Sequence, residues 1–112
     1  MIWHLGVHPD HRRHHIARRL LDEGIRQARA MGVTALEAWT RDDAPARSLY
    51  EAAAFHRVAS YWHVYMDGEQ FKTAVPGLHP IESFAHYVGP DIAAIRPHCR
   101  RAYECVGYQL RL

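Results

Sequence analysis

Apolar and polar positions change period several times along the chain. "MIWHLGV", residues 1–7, is a mostly apolar run and reads as a short buried strand. Over residues 12–31 the period becomes helical: Ile16, Ala17, Leu20, Leu21, Gly24, Ile25 and Ala28 recur on one face. Arg18 with Asp22, Arg19 with Glu23, and Asp22 with Arg26 form i,i+4 pairs on the other face. Gly32 follows as a left-handed cap. "VTALEAW", 33–39, is a second apolar strand. An Asp cap and Pro45 in the next turn predict a short helix over 44–54, with Ala46, Leu49, Tyr50 and Ala53 on one side. "RVASYWHVYM", 57–66, sets Val58, Ser60, Trp62, Val64 and Met66 against Arg57, Ala59, Tyr61, His63 and Tyr65, the alternation of a half-buried strand. Asp67-Gly68 and Val75-Pro76-Gly77 are turn signals, Pro90 opens a short helix, and "ECVGYQLRL", 104–112, alternates as a last strand.

The predicted order is β-α-β-α-β, then a looser α/β tail. Strand–helix–strand with short links implies a right-handed parallel crossover. The last strand is expected beside the 57–66 strand. At 112 residues the chain is read as one domain, with a core over 1–66 and a C-terminal extension of the same domain over 67–112. A formal net charge of +2 weighs against a dedicated nucleic-acid binder. No apolar run is long enough to span a bilayer, and the start lacks the regions of a secretory signal. Two cysteines, Cys99 and Cys105, are too few for a disulfide framework, so a reducing cytoplasm is expected. Both are read as inert thiols.

The stretch "VHPDHRRHHIARRLL", 7–21, passes from strand end to helix through a cluster of Arg and His. A metal, a nucleic acid or a small anion could be its target. His8, His11, His14 and His15 lie close together, but no Glu joins them in an H-E-x-x-H pattern and arginines beside them repel a cation. A basic helix can track phosphates, yet Asp22 and Glu23 make this a salt-bridged, solvated face. The small anion fits the mechanics best. A helix start just after a strand presents unpaired N–H groups and the positive end of a dipole, and Arg12, Arg13, His14 and His15 add charge beside it.

Leu5 to Leu21, read as L-x-V-x-P-x-x-R-x-x-x-I-A-x-x-L-L, resembles the acetyl-CoA-binding motif of the GNAT N-acetyltransferases. A second block agrees at the right distance: "DDAPARSLYEAAAF", 42–55, is similar to the family's Asp-Asn-x-x-Ala-x-x-Leu-Tyr-Glu-x-x-Gly-Phe. The resemblance covers residues 1 to 66. It implies a GNAT-like mixed α/β sheet and transfer of an acetyl group from acetyl-CoA to a primary amine of a small molecule or peptide. It gives the backbone of Leu5, Gly6 and Val7 to the pantetheine arm and the N–H groups of Arg12, Arg13, His14, His15, Ile16 and Ala17 to the pyrophosphate. Asp43 falls where an Asn touches the cofactor. Tyr50 falls where a general acid protonates the leaving thiolate. Taken alone, Tyr50 reads as a core residue.

Departures accompany the match. His15 stands where the family has its first Gly, Asp43 replaces Asn, and Ala54 replaces the Gly that ends the second helix. Left-handed geometry at Ala54 would cost roughly 1–2 kcal/mol. The family's N-terminal strands and helices, and the Glu that often serves as base, would precede or fall on Met1; His4 is a candidate substitute. A truncated product, a half completed by another chain, and a non-catalytic CoA-binding or assembly module are the three readings of that shortness. An apolar first strand with an open edge leads us to expect a homodimer or a partner chain, with no nucleic acid and no membrane. Trp3, Trp39 and Trp62 are expected as core or sheet-face fillers.

Overall fold

The computed structural model describes residues 1–68 and 74–112. Helix α1 spans Ile16–Ala30 and buries Leu21, Ile25 and Ala28, a narrower stripe than the sequence pattern suggests. Leu20 is 49 % exposed and Gly24 lies on the solvent side, so only the i, i+4, i+7 row is covered. The helix begins four residues later than its periodicity predicts. Arg13 and His15 have φ of 66° and 57°, left-handed values that no helix can include, and a 3-10 turn over Pro9–His11 precedes them.

Strand β1 is Ala35–Thr40, helix α2 Ala44–Ala52, and strand β2 His56–Asp67. Strands β3 (Glu82–Tyr87) and β4 (Arg101–Arg111) follow, with the short helix α3 (Ile92–Ile95) between them. The result is a mixed α/β chain in which β1 pairs with β4 and β2 with β3, both antiparallel. It divides into two units, Met1–Ala59 with Val106–Leu112, and Ser60–Cys105.

In the first unit β1 pairs antiparallel with the end of β4, from Ala35 opposite Arg111 to Thr40 opposite Val106. Its core joins Leu21 and Ile25 to Ala38, Tyr50, Ala53, Phe55, Val106 and Tyr108, with Ile2, Leu5, Leu36 and Leu49 packed against it. The Trp39 ring lies across its cross-strand partner: a Cβ on Gly107 would come within 2.8 Å of it, so a side chain there would have to displace the ring. The expected first strand is not formed. Only Ile2 bridges β1, parallel to it at Ala38, through Ile2 N–H on the Glu37 carbonyl at 2.7 Å. Ile2 faces the core, so Trp3 must face away, and it is 89 % exposed rather than a filler.

Both long segments of this unit end in the same way. After α1, Val33 N–H reaches the Ala28 carbonyl and Gly32 N–H the Arg29 carbonyl, with Gly32 at φ 76°. After α2, Phe55 N–H reaches the Tyr50 carbonyl and Ala54 N–H the Glu51 carbonyl, each at 3.0–3.1 Å, with Ala54 at φ 65°. Alanine therefore does the work of glycine in the second motif. Ala54→Gly is expected to raise stability by roughly 1 kcal/mol, read as a higher denaturant midpoint. An unchanged or lower midpoint would mean that Ala54 carries no strain.

In the second unit β2 pairs antiparallel with β3, from Trp62 opposite Tyr87 to Asp67 opposite Glu82. The β3 strand has no counterpart in the sequence reading. Asp67, expected in a turn, is still in the β2 ladder, and residues 69–73 lie outside the described ones. The turn at 75–77 is present, with Leu78 N–H on the Val75 carbonyl at 3.3 Å. The Asp91 carboxylate accepts from Ala94 N–H at 3.3 Å and caps α3, one residue after the expected Pro90. The expected half-buried strand is buried mainly at Val64; its start, 56–60, is exposed on both faces. Trp62 is half-buried under the Arg96 guanidinium, 5.2 Å from the ring centre.

Candidate functional site

A cleft of about 720 Å³ opens in the first unit between the Leu5–Val7 segment, the start of α1 and the first two turns of α2. That is within the range of small-molecule and cofactor sites. It brings together Leu5, Gly6, Val7, Arg12, Arg13, His15, Ile16, Ala17, Asp43 and Tyr50. Of the residues that the resemblance gives to the cofactor or to proton transfer, His14 alone does not line it; it is exposed on the loop before α1. His11, Arg18, Pro45, Ala46 and Leu49 complete the wall.

At the α1 end the cleft is lined by Arg12, Arg13 and His15 to Arg18. The first bond of the helix is Arg19 N–H to the His15 carbonyl at 3.0 Å. The N–H groups of residues 13–18 have no acceptor among the described residues. Four of these, at His15 to Arg18, are the orphans that every helix start leaves. The positive φ at Arg13 and His15 extends the row upstream, because left-handed residues beside right-handed ones turn successive N–H groups toward one concavity. His15 is the N-cap of α1, yet its side chain makes no capping hydrogen bond. The row therefore meets the cleft uncapped.

Two arginines hold the walls. Arg12 Nε donates to the Val7 carbonyl at 3.3 Å and fastens the loop to the end of the N-terminal segment. Arg18 donates from Nε to Asp22 Oδ1 and from a terminal nitrogen to the Ala52 carbonyl, both at 2.9 Å. This second bond ties the start of α1 to the last turn of α2 across 34 positions of sequence. Arg18 appears in the sequence only as half of a surface i,i+4 pair. Nothing in a helical period signals that its guanidinium also caps another helix.

Asp43 sits at the other wall as the N-cap of α2, its Oδ1 accepting from Ala46 N–H at 3.0 Å. The carboxylate thus serves the helix as an Asn there would, while adding a negative charge. Tyr50 is 6 % exposed and lines the cleft from α2. Its ring stacks on Tyr108 at 5.8 Å and tilts against Phe55 at 5.3 Å. Burial, with the Asp43 carboxylate second, pushes its phenol above the ordinary value, so the proton stays on through neutral pH. Behind it the Tyr108 hydroxyl donates to Glu51 at 2.8 Å, which fixes the ring under Tyr50. The His4 imidazole lies over Gly6, where an added Cβ would meet Nε2 at 2.9 Å.

Among the described residues no three His, Cys, Asp or Glu side chains converge as metal ligands do, and no helix is long and apolar enough to cross a membrane. The model of the acetyltransferase (GNAT) family matches residues 1–55, a span that holds every residue of the cleft. No curated protein and no solved structure matches the chain.

Proposed function

Taking residues 1–55 as GNAT acetyltransferase sequence, we propose that this chain binds acetyl-CoA in the cleft and passes its acetyl group to a primary amine. The observation that carries this reading is the row of N–H groups from residue 13 to 18 with no acceptor among the described residues, all but His14 belonging to residues that line the same cleft as Tyr50. Such a row suits a pyrophosphate, because each N–H points at the anion and the α1 dipole adds to it. Leu5, Ile16 and Leu49 offer apolar surface to a pantetheine arm that runs on toward Tyr50.

In the reaction the amine nitrogen attacks the acetyl carbonyl carbon, a C–N bond forms and the C–S bond breaks. The Tyr50 hydroxyl gives its proton to the departing sulfur and recovers one from the proton shed by the amine. A phenol kept protonated by burial suits that task. The acceptor is a small-molecule or peptide amine, and the backbone of residues 3–6, in no strand ladder among the described residues, suits completion of the site by a second copy or a partner chain.

One contact favours a second reading, a module that binds CoA without turnover. The Val7 carbonyl, which the resemblance gives to pantetheine, already accepts from Arg12. Release of free thiol from acetyl-CoA, followed across a panel of amines, separates the two. Amine-dependent release supports transfer. Binding of acetyl-CoA by calorimetry without release for any amine supports the module.

A further inference from the structure

We infer that strand β3 is an association edge, on which two copies of this chain pair β3 with β3, antiparallel about a twofold axis at Ala85. The pairing is independent of what the cleft binds. The strand stands last in its sheet and pairs only with β2 among the described residues. Two bonds set the phase of its ladder. Gly68 N–H donates to the Ile81 carbonyl at 3.3 Å, and on the far side of β2 the Tyr65 carbonyl accepts from Arg100 N–H at 2.9 Å. Ile81, Ser83, Ala85 and Tyr87 therefore turn their main chain toward β2. Glu82, Phe84 and His86 turn theirs outward, where no described residue bonds to it. Natural edges are guarded by Lys, Pro, a bulge or a covering element. From Ile81 to Val88 there is no Lys, Arg or Pro, and the one carboxylate, Glu82, lies 3.8 Å from the Arg100 guanidinium.

Self-complementarity marks a second copy as the occupant. Stacked rings cross this face of the sheet from Tyr103 to His63 at 5.2 Å and from His63 to Phe84 at 4.9 Å, then stop at the edge, where Phe84 is 64 % exposed. His86 lies on the same face, stacked on Tyr61 at 3.9 Å. With Ala85 opposite itself, Phe84 of each copy stands opposite His86 of the other, repeating across the edge the Phe–His contact made inside the chain. Val88, 79 % exposed, comes opposite Glu82 and diagonal to Phe84, so no like charges meet. Every pair in this register joins two outward-facing residues, as an antiparallel ladder requires; a slip of one residue would set outward groups against inward ones. Twofold symmetry lets the one edge serve both copies. A strand pair over 82–88 buries less than the area of a standard interface, so the dimer is a weak one, with a dissociation constant on the order of 10–100 µM.

Sedimentation equilibrium from about 5 to 500 µM should find reversible dimers of the 12.9 kDa chain. Phe84→Lys sets two cations diagonally across the axis and should raise the dissociation constant roughly tenfold or more. His86→Pro removes an outward N–H while sparing the bonds to β2, and should do the same with an unchanged far-ultraviolet circular dichroism spectrum. In a Cys99→Ser background, Ala85→Cys should give a covalent dimer under mild oxidation, because facing Cα atoms at such a rung stand about 4.5 Å apart, within disulfide reach. Ser83→Cys in that background should not. If Phe84→Lys loses its fold, His86→Pro and the cross-link decide. A monomer at every concentration overturns the inference and leaves the edge to an extended segment of another protein. A dimer that neither substitution weakens, or that Ala85→Cys fails to trap, overturns it as well.

Discussion

Tyr50→Phe is expected to lower the maximal rate of acetyl transfer by about 10²–10⁴-fold, the usual worth of a general acid, and to leave acetyl-CoA affinity within about threefold. The substitution removes one oxygen and nothing else. The ring would keep its stacking on Tyr108 and its tilt against Phe55, so α2 and the cleft wall stay in place. Loss of rate without loss of binding is the signature of a group that acts on the departing thiolate. Because burial, with the Asp43 carboxylate second, holds the phenol above its ordinary value, an alkaline loss of activity that belongs to Tyr50 should have its midpoint above that of a free tyrosine. An unchanged rate in the Phe variant would reduce Tyr50 to the core residue that its place in the apolar cluster also describes.

Leu21→Ala is expected to destabilise the chain by about 2–5 kcal/mol, against a total of about 5–15 kcal/mol for an ordinary domain. Leu21 is 3 % exposed and, with Ile25 and Ala28, forms the whole buried stripe of α1. Leu20, its neighbour, is half exposed, and Leu20→Ala should cost much less. Denaturant unfolding of the two variants measures the difference. Equal losses would mean that the stripe is not what docks α1. Since α1 carries the amide row at its start, the Leu21 variant should also lose affinity for acetyl-CoA in proportion to the fraction unfolded.

The contrast between those leucines shows where sequence patterning stops. Period 3.6 places both on one broad face, but only contact with β1 and β4 decides which is covered. The same limit hides the start of α1. Residues 12–15 continue a helical pattern of charge and apolar positions, and the positive φ at Arg13 and His15 is a tertiary outcome of the loop. At the other end the pattern was informative. The alignment of Ala54 with a helix-ending Gly foretells the left-handed turn found there, since the motif's hydrogen bonds require it whatever residue is present. Strand β3 was invisible because its six residues alternate between exposed and half-buried, with Phe84 64 % exposed, so no apolar side stands out. The N-terminal segment misled in the opposite sense. Its apolar run resembles a strand, but beyond Ile2 it has no ladder to join among the described residues. The cleft residues were legible because two motifs marked the turns that meet there. The clamps from Arg12 and Arg18 were not, since they depend on side chains reaching backbone far along the chain.

Hydrogen exchange with and without acetyl-CoA tests the site most directly. Arg12, Arg13, His15, Ile16 and Ala17 line the cleft, and the N–H groups from 13 to 18 have no acceptor among the described residues, so in the free protein they should exchange fast for a folded segment. Bound acetyl-CoA should slow exchange at residues 12–17, with little change in β3 or α3. Protection elsewhere with none at 12–17 would contradict the placement of the cofactor at the start of α1.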